Sequence, residues 1–123
     1  MNSKLTMGLR IFLGLILLVF GANKFFHFLP MPPMEGASAE FMGALGNTGY
    51  MFPLIALTEV VAGVLLLLNK WVGLALILAA IISVNIVAFH LALDPSGVGL
   101  AAIVAILNIV LMYANWKKFK TLF

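Results

Sequence analysis

The chain has 123 residues, 64% of them hydrophobic and 9% charged, with 7 Lys and Arg against 4 Asp and Glu for a formal net charge of +3. A water-soluble domain is about one quarter charged, so this composition, with a mean hydropathy of +1.20, excludes an ordinary soluble domain and a disordered tail and leaves the bilayer as the solvent. No cysteine is present, which excludes a disulfide scaffold, a thiolate metal site and a thiol redox centre belonging to this chain.

Four apolar stretches, residues 5–26, 51–68, 71–92 and 98–116, each approach the length a helix needs to cross hydrocarbon. They predict an all-α, four-transmembrane-helix bundle, with residues 1–123 forming a single integral membrane domain. Pro30, Pro32, Pro33, Gly36, Gly46 and Gly49 break the chain between the first and second spans. Within this long outer loop, Phe41, Met42 and Leu45 can share one face of a short interfacial helix ending near Gly46. Phe25, Phe26, Phe28 and Leu29 are too apolar for open water, so the loop is expected to cap the bundle. Asn69 and Lys70 separate the second span from the third, and Asp94, Pro95, Ser96 and Gly97 the third from the fourth.

Lys4, Arg10, Lys70, Lys117, Lys118 and Lys120 fall on one side of the spans and only Lys24 near the other, which predicts that both termini are cytoplasmic. Such cations beside apolar runs are orientation signals and not a nucleic-acid face. A cleaved signal peptide is disfavoured, because Phe20-Gly21-Ala22 puts a bulky residue where cleavage wants a small one.

Polar groups are costly in hydrocarbon, and their helical phase therefore carries information. In the first span Arg10, Gly14, Leu17, Gly21 and Lys24 follow at steps of three and four, placing two cations and two glycines on one inward face. The second span repeats this with Phe52, Ala56, Glu59, Gly63 and Leu66, and the fourth with Ala101, Ala105, Asn108 and Met112. In the third, Ala75, Leu78, Ile82, Asn85 and Phe89 form one stripe, and Ala79, Ser83 and His90 its neighbour. Gly14, Gly21 and Gly63 are the candidate close-packing positions.

At about 1.5 Å rise per residue, Lys24 and His90 lie roughly 3 Å below the outer end, Asn85 about 10 Å, Glu59 about 12 Å and Asn108 about 15 Å. Helical side chains tilt toward the N-terminus, so Lys24 leans inward and Glu59 outward, each toward the other. Asn85 and His90 also lean inward and Asn108 outward. The expected polar cluster is Lys24, Glu59, Asn85, His90 and Asn108, and Arg10 snorkels toward the opposite headgroups. Glu59 then either pairs with Lys24 or carries a proton. Two readings follow: these groups only lock the helices together, or they line a pocket for a small, partly polar ligand such as a quinone head group. His27 and His90 share a side, but no second motif supports a bis-His haem. No ligand spacing supports a metal site, and no Gly-rich turn supports a nucleotide site.

The stretch Arg-Ile-Phe-Leu-Gly-Leu from Arg10, the later Gly-Ala-Asn-Lys ending at Lys24, and Glu59-Val-Val-Ala-Gly-Val-Leu-Leu resemble the DoxX-like membrane proteins, as do Phe-His-Phe-Leu-Pro at 26–30 and Phe89-His90 before Asp94-Pro95. The resemblance runs nearly end to end. It implies a four-helix protein of the bacterial inner membrane, with Lys24, Glu59, Gly63 and His90 on recurring family positions. It also implies relatives tied to quinone-coupled sulfur oxidation or membrane redox complexes, and distant ones that assist assembly.

The first functional expectation is an accessory quinone- or small-ligand-binding subunit beside a membrane redox partner. The second is a non-catalytic assembly or interaction partner of another membrane protein, in which the polar groups only fix geometry. Transport is less well supported, because one four-helix chain lacks inverted repeats and broken helices, although a homo-oligomer could supply what is missing. Enzyme status is left open.

Overall fold

A computed structural model describes residues 2–28 and 34–120, and among these there are helices and no strands. In chain order the helices are α1 (Ser3–Phe26), α2 (Gly36–Asn47), α3 (Met51–Leu68), α4 (Val72–Ala92), a 3-10 turn (Pro95–Gly97), α5 (Val98–Ala114) and α6 (Trp116–Phe119). Four apolar segments are long enough to cross a membrane: α1, α3, α4, and α5 together with the turn before it. Their limits agree with the expected spans to within two or three residues. The fourth span ends sooner than expected, because Asn115 interrupts it and its side chain donates to the Leu111 carbonyl at 2.8 Å. Leu29, Pro30, Pro32 and Pro33 of the expected loop lie outside the described residues.

Local chemistry sets the ends of these helices. The Asn2 side-chain oxygen accepts from the Lys4 and Leu5 amides and starts α1, while His27 leaves it in the left-handed region at φ 54°. Asn69, also left-handed at φ 55°, stops α3 with paired closing bonds, its own N–H to the Leu66 carbonyl and that of Lys70 to the Leu65 carbonyl. The link to α4 is therefore short, and the two helices run antiparallel.

Packing runs around the bundle: α1 against α3, α3 against α4, α4 against α5, and α5 back against α1. The interior is built of small side chains and a few leucines: Ala56, Ala62, Ala75, Ala79 and Ala101 with Leu13, Leu66, Leu76 and Leu111. Large aliphatic groups such as Leu57, Ile81, Val84, Ile106 and Ile109 point outward and are more than half exposed. In water this exterior would aggregate. In lipid it is solvated, and helix association then depends on how closely backbones approach.

Helix α2 forms where the loop reading placed a short helix. It lies against the end of the bundle where α1 stops and α3 starts, with the Phe41 ring 5.4 Å from that of Phe89 on α4. The backbones of α1 and α3 approach closely. A Cβ built on Gly63 would stand 2.8 Å from the Gly14 carbonyl oxygen and 2.8 Å from the Leu18 nitrogen, both backbone atoms that cannot swing away. Gly63→Ala is therefore expected to push the two helices apart and lower unfolding free energy in detergent by about 1–3 kcal/mol. Gly8→Ala, which meets nothing within 4 Å, should be neutral or stabilising by up to about 1 kcal/mol. Equal melting of the two variants would contradict the close seam.

Candidate functional site

The glycine seam determines which polar groups meet. Gly14, Gly21 and Gly63 are all buried on the facing surfaces of α1 and α3. A Cβ on Gly21 would lie 3.0 Å from the Cβ of Glu59 and 3.0 Å from the Ala56 carbonyl oxygen, so the missing side chain is what lets Glu59 rest on α1. Lys24 follows Gly21 by three positions and lies on the same face. Its ammonium sits 2.7 Å from Glu59 Oε1. The Glu59 side chain is 3% exposed and that of Lys24 28%. No hydrogen bond from any other described residue reaches that carboxylate oxygen, so the ammonium alone offsets its desolvation.

The other expected members of the cluster are not brought to this pair. Asn108 on α5 is 2% exposed, donates to the Leu76 carbonyl of α4 at 3.2 Å and accepts from the Ser83 hydroxyl at 3.3 Å. It joins α4 to α5. Asn85 is exposed on the outer surface of α4 and donates to the Ile81 carbonyl of its own helix at 2.9 Å. Six residues beyond buried Ala79, it has turned about 120° from the centre of the inward face, whereas Ser83 stays within it. A polar residue in hydrocarbon need not face inward when its own helix supplies a carbonyl one turn back.

His90 lies in the last turn of α4. Its Nδ1 lies 3.0 Å from the Asp94 carbonyl oxygen and 3.7 Å from the Asp94 carboxylate, and Ser96 Oγ donates to that carboxylate at 2.6 Å. A Cβ on Gly97 would overlap the His90 ring, so the turn into α5 folds directly over the imidazole. His27 is exposed at the end of α1. Among the described residues there is no group of three metal-capable side chains. Arg10 donates through Nη1 to the Leu66 carbonyl, with the Leu67 carbonyl at 3.5 Å, and covers the last turn of α3. Ser83 is the residue that the expected cluster lacked. Its register with Ala79 on α4 is the signal that marks it.

A helical chain with four apolar segments of spanning length, a small-residue interior and an aliphatic exterior is a multi-pass membrane protein in contact with the bilayer. The family model of DoxX matches residues 5–91, and the chain belongs to the DoxX family. The matched range contains α2 and α3 and nearly all of α1 and α4, and with them both members of the ion pair. No curated protein and no solved structure matches the chain.

The two asparagines separate by measurement. Asn108→Ala removes two interhelical hydrogen bonds and should cost about 1–2 kcal/mol of unfolding free energy in detergent. Asn85→Leu changes a lipid-facing side chain and should stay within about 0.5 kcal/mol of the parent. A large loss on Asn85→Leu would mean that Asn85 faces protein.

Proposed function

We propose that this DoxX-family protein is an accessory subunit of a membrane redox assembly that holds a small, partly polar ligand, a quinone head group being the best chemical fit, at the Lys24 and Glu59 pair. It would lie in the bacterial inner membrane with both termini cytoplasmic, in keeping with the cations gathered at one end of the spans.

One observation carries the reading: a carboxylate 3% exposed is matched to a single ammonium, and that ammonium is 28% exposed. An ammonium has three N–H donors, and directing one at Glu59 leaves others for an incoming carbonyl oxygen. Glu59 would orient Lys24, and Lys24 would bind the ligand. The site is smaller than the five-residue cluster, because Asn85, His90 and Asn108 direct their hydrogen bonds elsewhere.

That same dispersal favours the second reading, a non-catalytic partner of another membrane protein whose polar groups only fix the bundle. The two readings part on one set of variants. Lys24→Met leaves a buried carboxylate unpaired and should destabilise by the lower part of the roughly 3–5 kcal/mol seen for broken buried pairs, given the partial exposure of the lysine. The double variant Lys24→Met with Glu59→Leu removes both charges and should recover most of that stability. In the ligand reading, solvent extraction of parent protein purified in mild detergent yields a quinone by absorbance, and the stable double variant yields none. Parent protein without bound quinone, and a double variant that retains the function of the assembly, would support the helper.

A further inference from the structure

The opposite end of the bundle carries a second polar feature that the ion pair does not use. A cavity of about 350 Å³ lies there, lined by Ser3, Thr6, Met7, Arg10, Asn69 and Asn115. These residues come from the first turns of α1, the stop of α3 and the stop of α5, three chain segments far apart in sequence. Five of the six side chains are polar in a chain that is 64% hydrophobic, and Ser3, Met7 and Asn69 are exposed, so the cavity is open to its surroundings.

The charge around it has one sign. Lys4 stands in the first turn of α1, Lys70 follows Asn69, and Lys117, Lys118 and Lys120 lie in and just after α6. The four acids are elsewhere: Glu35 and Glu40 at α2, Glu59 at the pair with Lys24, and Asp94 in the turn after α4. The first turn of α1 adds the positive end of a helix dipole. The C-terminal ends of α3 and α5 oppose an anion, and several of their carbonyls are already engaged: those of Leu66 and Leu67 by Arg10, those of Leu65 and Leu66 by the amides of Lys70 and Asn69, and those of Leu111 and Met112 by Asn115.

Arg10 is the recognition group. Its guanidinium has five donors in a planar fork, and the contacts to α3 use only Nη1. Among the described residues Nε and Nη2 have no partner, and that edge is the one that takes two oxygens of a phosphate side by side. The α3 carbonyls fix the guanidinium plane, so little side-chain freedom is lost when an anion binds.

From this geometry we infer that the cavity is a phosphate-binding site, filled by the phosphodiester of an anionic phospholipid or by free phosphate. Arg10 grips the phosphate, Ser3, Asn69 and the second N–H of the Asn115 amide can donate to it, and the Thr6 hydroxyl, which donates to the Asn2 carbonyl at 2.9 Å, can accept from an adjoining head-group hydroxyl. A lipid seated there would bind across α1, α3 and α5 at once and close the bundle at its lysine-rich end.

The test is thermal unfolding of the full chain in a neutral detergent, titrated separately with short-chain phosphatidylglycerol, short-chain phosphatidylcholine and inorganic phosphate. Phosphatidylglycerol is expected to raise the melting temperature saturably, with phosphatidylcholine and phosphate inert. A rise with inorganic phosphate as well would keep the site and assign it to the free anion. Arg10→Gln should weaken the apparent affinity at least five-fold, in line with about 1 kcal/mol for one cation near an anionic lipid. Because Arg10 also braces α3, Ser3→Asp is the cleaner variant: it puts a negative charge at the cavity while suiting the start of a helix. Ser3→Asp should melt like the parent without lipid and lose affinity at least five-fold. An undiminished phosphatidylglycerol effect in Ser3→Asp, an equal effect of phosphatidylcholine, or no effect of any of the three additives on the parent would overturn the site.

Discussion

Two helices in hydrocarbon gain nothing from hiding apolar surface from lipid, so their association rests on contact between atoms that can come close. In this protein that contact is the approach of α1 to α3 through Gly14, Gly21 and Gly63. The glycines do more than bring two cylinders together. Gly21 clears the place where Glu59 meets α1, and Lys24, three positions on, is then within reach of the carboxylate. The ion pair is thus a consequence of the seam: without the close approach, Glu59 would face lipid or another helix and Lys24 would have to reach the interface alone.

A division of polar labour between interfaces follows. The seam of α1 and α3 holds the one buried ion pair seen among the described residues. The contact of α4 with α5 holds neutral groups, with Asn108 set between the Ser83 hydroxyl and the Leu76 carbonyl. The outer turn holds His90, Asp94 and Ser96, bonded within a few residues of one another. Among the described residues, no hydrogen bond or ion pair seen here joins one of these three sets to another.

The spans and the short loop helix were legible in the sequence, because length and hydropathy decide them before any packing detail matters. Lys24 and Glu59 were legible as partners for a further reason: each shares a stripe with glycine, and their opposite lean closes the gap in depth. Asn85 was not, since its stripe was drawn through Ile82 and Phe89, which flank the true inward face centred near Ala79. For Arg10 the stripe marked the face but not the partner: its Nη1 donates to the Leu66 carbonyl, a contact that only the packing of α1 on α3 creates.

The energetics of the pair bear on what it is for. Bringing two charges out of water costs about as much as their attraction returns, and well-packed apolar residues of similar size often hold helices as firmly. The glycine contacts already supply close packing along α1 and α3, so a charge pair is a poor choice if firmness is all that is required. Its asymmetry fits a different demand. A carboxylate sealed at 3% exposure has no access to a ligand, but it keeps a lysine oriented, and that lysine at 28% exposure remains open to one. Partial exposure lowers the desolvation cost of the lysine in either reading, and in the proposed one it also leaves N–H donors within reach of a ligand.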